Sequence, residues 1–159
     1  MKVDLSSYIP CSYEEAIKQV KTPRLLQHVA FPLISFTPLT PENFPSVWAQ
    51  GTYTVRLKLL CLIPFGKQDI VISYPDAGSG FSLRDNGRSA LIKKWDHTIT
   101  ILQTPNGVLY RDTVSMSAGL LTPIVWLHAY FFYRHRQARW RRLAARRFAY
   151  PPHGKFGFR

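Results

Sequence analysis

Two residues have the types for acid–base chemistry and sit where a strand would point them inward. His97 shares one face of a strand-like run with Trp95, Ile99 and Ile101, and Asp112 shares one face of the next with Tyr110, Val114 and Met116. A Pro105-Asn106-Gly107 turn joins the two runs, so they are expected to pair as a hairpin. If the side chains meet, the carboxylate would orient the imidazole as a general base. The alternative is a structural hydrogen-bonded pair, or outward-facing residues. A turn centred near Asn106 puts Leu102 near Tyr110, a register that leaves both outcomes open. No serine or cysteine constellation accompanies the pair, so covalent chemistry is not indicated. The five histidines show no HxH or HExxH spacing. His128 and His135 are a heptad apart, roughly 10 Å along a helix, so neither a metal nor another cofactor is expected.

The elements that would hold these residues follow from periodicity. Lys2 to Ile9 alternates as a first strand. Ser12 with Glu15, and Thr22 with Pro23, open two short helices. Phe31 to Phe36 reads as a strand and Pro38 to Pro45 as an extended loop. Thr52 to Ile63 reads as one long strand and Pro64-Phe65-Gly66 as a turn. Gln68 to Tyr74 and Phe81 to Arg84 are further strands, and Asn86-Gly87 a tight turn. Ala90 to Leu102 and Val108 to Met116 complete the set. Short turns make the late strands antiparallel neighbours.

A Gly119-to-Pro123 break precedes Thr122 to Phe148, which has no further Gly or Pro. Ile124, Leu127, Phe131, His135 and Ala138 recur at three or four residues, predicting a helix roughly 40 Å long with that stripe toward the sheet. The expected fold is α+β: a curved antiparallel sheet of six to seven strands around a long C-terminal helix, with two short helices after the first strand. Residues 1–148 are expected to form one domain and 149–159 a basic tail, with Phe156 and Phe158 as its possible anchors.

Charge is uneven. The 159 residues carry a net +12; all nine acidic residues lie between Asp4 and Asp112, and the twelve Lys and Arg of residues 1–112 leave that part at +3. Beyond Asp112 there are nine basic residues and no acidic ones. The arginines of the last helix, with Arg139, Arg142 and Arg146 as the residues to test, point either to an anionic partner such as a membrane surface or to a solvated helix end. No nucleic-acid-binding motif is present, so nucleic acid is not the expected partner. Cys11 and Cys61 are expected to be reduced thiols, and the start lacks an apolar run, which together predict a cytoplasmic protein. Leu120 to Tyr133 is too short to span a bilayer.

Several of these motifs resemble the helix-grip proteins of the START-like superfamily, and more closely the SRPBCC or polyketide cyclase/dehydrase-like ligand-binding family. They are Trp95-x-His97, Arg111-Asp112-Thr113-Val114, the Ala118 to Pro123 linker, and Phe131-Phe132-Tyr133-Arg134-His135-Arg136. The proline-rich loop and the arginine density depart from that pattern. The resemblance implies an elongated cavity between sheet and last helix that binds or transports a hydrophobic or amphipathic small molecule. A cyclase- or dehydratase-like enzyme is the alternative. Tyr53, Trp95, Tyr110, Val114, Leu127, Phe131 and His135 are the residues expected to line such a cavity, as against plain core packing.

Overall fold

The computed structural model describes residues 1–89 and 92–151. Seven strands form one antiparallel sheet: β1 (Lys2–Ile9), β2 (Ile34–Thr40), β3 (Gly51–Leu59), β4 (Ile63–Ser73), β5 (Phe81–Ser89), β6 (Lys94–Thr104) and β7 (Gly107–Ser117), in the spatial order β1-β7-β6-β5-β4-β3-β2. Helices α1 (Tyr13–Val20) and α2 (Pro23–Ala30) lie between the first two strands, and α3 (Thr122–Ala145) follows β7. The sheet curls about α3 in a helix-grip arrangement. Inward residues of alternate positions, among them Val55, Ile70, Ile72, Ile101 and Val114, are almost wholly buried against the helices.

The helix starts form as their caps dictate. Ser12 Oγ accepts the Glu15 N–H at 3.2 Å, and Thr22 Oγ1 accepts that of Leu25 at 3.2 Å. On the outer face, bidentate pairs tie neighbouring strands: Arg84 to Asp96 at 2.7 and 2.9 Å, and Arg111 to Asp4 at 2.7 and 2.6 Å. Cys11 and Cys61 are free thiols.

Three turns differ from the sequence expectation. The run from Thr52 to Ile63 is two strands. The chain reverses at Leu60 and Cys61, both at positive φ (50° and 60°), so no Gly or Pro marks the turn. Pro64 to Gly66 then lies inside β4, beside a bulge at Leu57/Lys58. Asn86-Gly87 is likewise strand, paired with Asp96 and Trp95. Gly87 is required there for close approach, since a Cβ would meet the Asp69 carbonyl oxygen at 2.4 Å. The second strand extends through Pro38 to Thr40, which an edge strand tolerates. β6 begins at Lys94; the expected start at Ala90, and Phe156 and Phe158 of the tail, lie outside the described residues.

The helix face also differs. Ala129, Phe132, Tyr133, Arg136, Gln137, Trp140, Leu143 and Ala144 are buried, while Leu127 and Phe131 are 51% and 60% exposed. The inward stripe is turned by about one residue, roughly 100°, from the expected one. Two polar residues, Arg136 and Gln137, occupy its centre, and they mask it in an apolar pattern. α3 ends at Ala145, three residues before the expected Phe148.

Candidate functional site

His97 and Asp112 meet. His97 Nε2 lies 2.8 Å from Asp112 Oδ1, with the two residues 4% and 0% exposed. Antiparallel pairing sets His97 opposite Val114 and Asp112 opposite Ile99, so the contact runs diagonally across β6 and β7 on their inner face. Further groups complete the carboxylate. The Tyr110 hydroxyl donates to Oδ1 at 2.6 Å, and Gln137 Nε2 donates to Oδ2 at 2.9 Å. Gln137 also donates to the Leu5 carbonyl at 3.0 Å and accepts from Ser7 Oγ at 2.6 Å, pinning α3 to the edge strand β1.

Arg136 supplies the opposite charge. It is 5% exposed, its guanidinium stands 5.7 Å from the centre of the Tyr133 ring, and its Nε has no hydrogen-bond partner among the described residues. Burial opposes ionisation of Asp112, yet Arg136 and the His97 and Tyr110 hydrogen bonds outweigh it and hold the carboxyl below its ordinary range. Burial, with Arg136 adding to it, lowers the His97 pKa despite the Asp112 contact. The pair is therefore a neutral imidazole donating Nε2–H to a carboxylate. That tautomer leaves Nδ1 as an acceptor.

A cavity of about 330 Å³ lies between the sheet and α3. Phe36, Leu57, Ile70 and Phe132 form much of its apolar wall, and Gln68, Asp85, His97 and Arg136 bring polar groups to it. Asp85 pairs directly with His97 across β5 and β6, and its Oδ1 accepts the Val71 N–H at 2.9 Å. Burial pushes this carboxyl up to about 7, against the lowering effects of the Val71 hydrogen bond and Arg136, with Asp96 raising it further. Leu121 and Ile124 belong to the wall and are also 49% and 68% exposed, so the mouth lies at the start of α3.

Of the residues expected at a cavity, Trp95 and His97 line it, with Trp95 stacked on Tyr133 at 6.3 Å. Asp112 and Tyr110 stand behind His97 as fully buried support, with Tyr110 edge-on to Trp140 at 4.2 Å. Val114 is core, wholly buried. Tyr53 packs on Trp48 at 4.8 Å, its hydroxyl 3.1 Å from the Ala49 backbone. His135 reaches the Phe31 carbonyl through Nε2 at 2.9 Å. Leu127 and Phe131 face outward, because the helix is rotated as described above. Asp85, Arg136, Gln137 and Tyr133 were not legible as site residues. Reading Asn86-Gly87 as a turn removed Asp85 from its strand, and Arg136 is one of seven arginines between Thr122 and Phe148, with no local mark of its own.

Arg139, Arg142 and Arg146 do come together. With His28 they line a separate hollow of about 290 Å³ on the outer side of the molecule's α2–α3 contact. Arg139 donates to the His28 carbonyl at 2.9 Å, and burial and then the like charge of Arg142 lower its pKa. Among the described residues no helix is long and apolar enough to cross a membrane, and no group of three or more metal-ligating side chains is gathered.

Solved structures share this fold at low sequence identity. TTHA0849 from Thermus thermophilus is 12% identical, with a TM-score of 0.66 over 92% of this chain and 99% of that one. CV1439 from Chromobacterium violaceum is 14% identical, with a TM-score of 0.65 over 90% and 96%. DynU16, a protein in the dynemicin biosynthetic locus, is 14% identical with a TM-score of 0.55, over 91% of this chain and 47% of its own. No curated protein matches the chain in sequence. The family described as Domain of unknown function (DUF8410) matches residues 8–146, and the chain belongs to that family.

Proposed function

We propose that this protein binds a hydrophobic or amphipathic small molecule in the cavity between its sheet and α3. The observation that carries the reading is an apolar space of about 330 Å³ with polar groups on its wall. That combination is what small-molecule sites offer: apolar contact for affinity and a few fixed polar groups for orientation. The resemblance to SRPBCC proteins and the fold shared with DynU16 from a biosynthetic locus support it. The test is uptake of the neutral, polarity-sensitive dye Nile red, with native mass spectrometry of the purified protein for a retained apolar molecule. Val125 is on the cavity wall. Val125→Trp should fill the space and abolish dye uptake. Unchanged uptake in a folded Val125→Trp protein would sink the reading.

An enzyme of cyclase or dehydratase type is favoured by one observation, the neutral His97 held by Asp112 on the cavity wall. His97→Ala separates the two: an enzyme loses turnover while retaining its ligand, and a binder has no turnover to lose. Contact with an anionic membrane surface is a further reading, favoured by the convergence of Arg139, Arg142 and Arg146 on one hollow.

A further inference from the structure

We propose that the ligand of the cavity is an amphipathic acid, held with its carboxylate inward between Arg136 and Asp85 and its apolar body toward the mouth at Leu121 and Ile124. This rests on the cavity being a binding site, as proposed above, and goes on to say what it selects.

Three observations point to the class of headgroup. The first is an imbalance of donors and acceptors. Arg136 presents five N–H groups, is 5% exposed, and has an Nε without a partner among the described residues. Its nearby acceptor is the Tyr110 hydroxyl, whose own proton goes to Asp112. A carboxylate brings acceptors only and matches the guanidinium fork; an ammonium brings donors only and leaves the deficit in place.

The second is charge. Asp112 already balances Arg136 within the buried network, so an entering carboxylate beside an ionised Asp85 would bring two unbalanced negative charges together in an apolar site. Asp85 avoids the second of them, because it lines the same cavity and can hold a proton there. One of its oxygens is committed to the Val71 N–H, and the other is available to share that proton with the ligand carboxylate. Burial, pushing the Asp85 carboxyl up to about 7, makes the proton easy to take up near neutral pH. The groups facing Asp85 are consistent with this. His97 and Asp96 come from β6, Arg136 and Tyr133 from α3, and β4 contributes the Val71 N–H and Gln68.

The third is polarity along the cavity. Arg136 is on the buried face of α3, about three turns from the exposed Ile124 at the mouth, and apolar Val125 and Phe132 line the wall between. An apolar chain has a continuous surface to lie on, and its head has one charged end to reach.

The test is displacement of Nile red by decanoic acid, decanol and decylamine, three probes with one chain and different heads. Decanoic acid should displace the dye at about tenfold lower concentration than decanol at about pH 6. Its affinity should fall about tenfold by about pH 8, as Asp85 must now take up a proton, while that of decanol stays constant. Asp85→Asn should keep acid binding and remove this pH dependence. Arg136→Gln should erase the preference for the acid over decanol; if that protein does not fold, the Asp85→Asn profile still decides. Equal displacement by acid and alcohol, or a preference for decylamine, would overturn this inference and leave the binding reading standing. Absence of dye uptake together with absence of calorimetric heat from all three probes would remove both.

Discussion

His97 Nε2 and Asp112 Oδ1 are 2.8 Å apart although neither residue is the other's cross-strand partner. The diagonal contact works because both side chains lie on the inner face and α3 presses Gln137 onto the far oxygen of the carboxylate at 2.9 Å. The network therefore couples sheet closure to helix docking: Asp112 on β7, His97 on β6 and Gln137 on α3 find their hydrogen-bond partners, and Arg136 its counter-charge, only when all are in place.

Removing the centre of this network should be costly. Asp112→Asn takes away the negative charge that offsets Arg136 and places an amide nitrogen among donors. Breaking a buried pair from one side costs about 3–5 kcal/mol. The expected outcome is an unfolding free energy, measured by urea denaturation, lowered by that amount. Arg136→Met combined with Asp112→Asn should lose less than the sum of the two single changes, since the double variant leaves no buried unpaired charge. Additive losses would show that the two residues do not share a network.

Asp85 should set a pH dependence of opposite sense to an ordinary paired carboxylate. Burial, partly offset by the Val71 N–H and Arg136, puts its folded pKa at about 7, above its ordinary value of 3.8. Ionisation therefore favours the unfolded chain. Its contribution is fully present below about pH 4, is lost as pH rises toward about 7, and is constant beyond. A shift of that size corresponds to at most about 4 kcal/mol. Asn at this position retains an oxygen for the Val71 N–H and has no proton to lose. Asp85→Asn should melt above the wild type at about pH 8 and match it near about pH 4. A difference that does not change with pH would show that the carboxyl ionises freely in the fold.

The orientation of α3 is open to a direct comparison of adjacent residues. Phe131 is 60% exposed and Phe132 4%. Phe132→Ala should cost about 3–5 kcal/mol and enlarge the cavity. Phe131→Ser should change stability by no more than about 0.5 kcal/mol. Chemical denaturation of the two proteins checks both, and a reversed order would restore the stripe through Leu127 and Phe131 as the buried one.

That comparison also shows where the sequence was legible. Alternation put His97 beside Ile99 and Ile101, and Asp112 beside Tyr110 and Val114, on inner faces, because strands reveal a face at every second residue. The order of strands and helices followed from turn and cap residues such as Ser12, Thr22 and Gly107. The helix face was misplaced because its inner stripe carries Arg136 and Gln137. A buried charged residue is indistinguishable in sequence from a solvated one until its counter-charge, here Asp112, is brought to it by the fold. Gly87 was misread for a similar reason: a glycine beside an asparagine signals a turn, and only the 2.4 Å approach of the Asp69 carbonyl to its missing Cβ shows the other use.

The arginines at the end of α3 should divide by role. Arg139 donates to the His28 carbonyl at 2.9 Å and its guanidinium lies 5.9 Å from the Phe31 ring centre, so it ties α3 to α2. Arg142 and Arg146 are exposed on the same hollow, and the like charge of Arg142 acts against Arg139. Arg139→Ala should therefore lower stability by about 1–2 kcal/mol through the lost charged hydrogen bond. Arg142→Ala with Arg146→Ala should leave stability within about 0.5 kcal/mol, because exposed like charges contribute little to the fold. If the hollow meets an anionic surface, the wild type and not the double variant should sediment with phosphatidylglycerol vesicles, and added salt should release it. Equal retention of both proteins would assign the arginines to solvation of the helix end, where cations are favoured by the helix dipole alone.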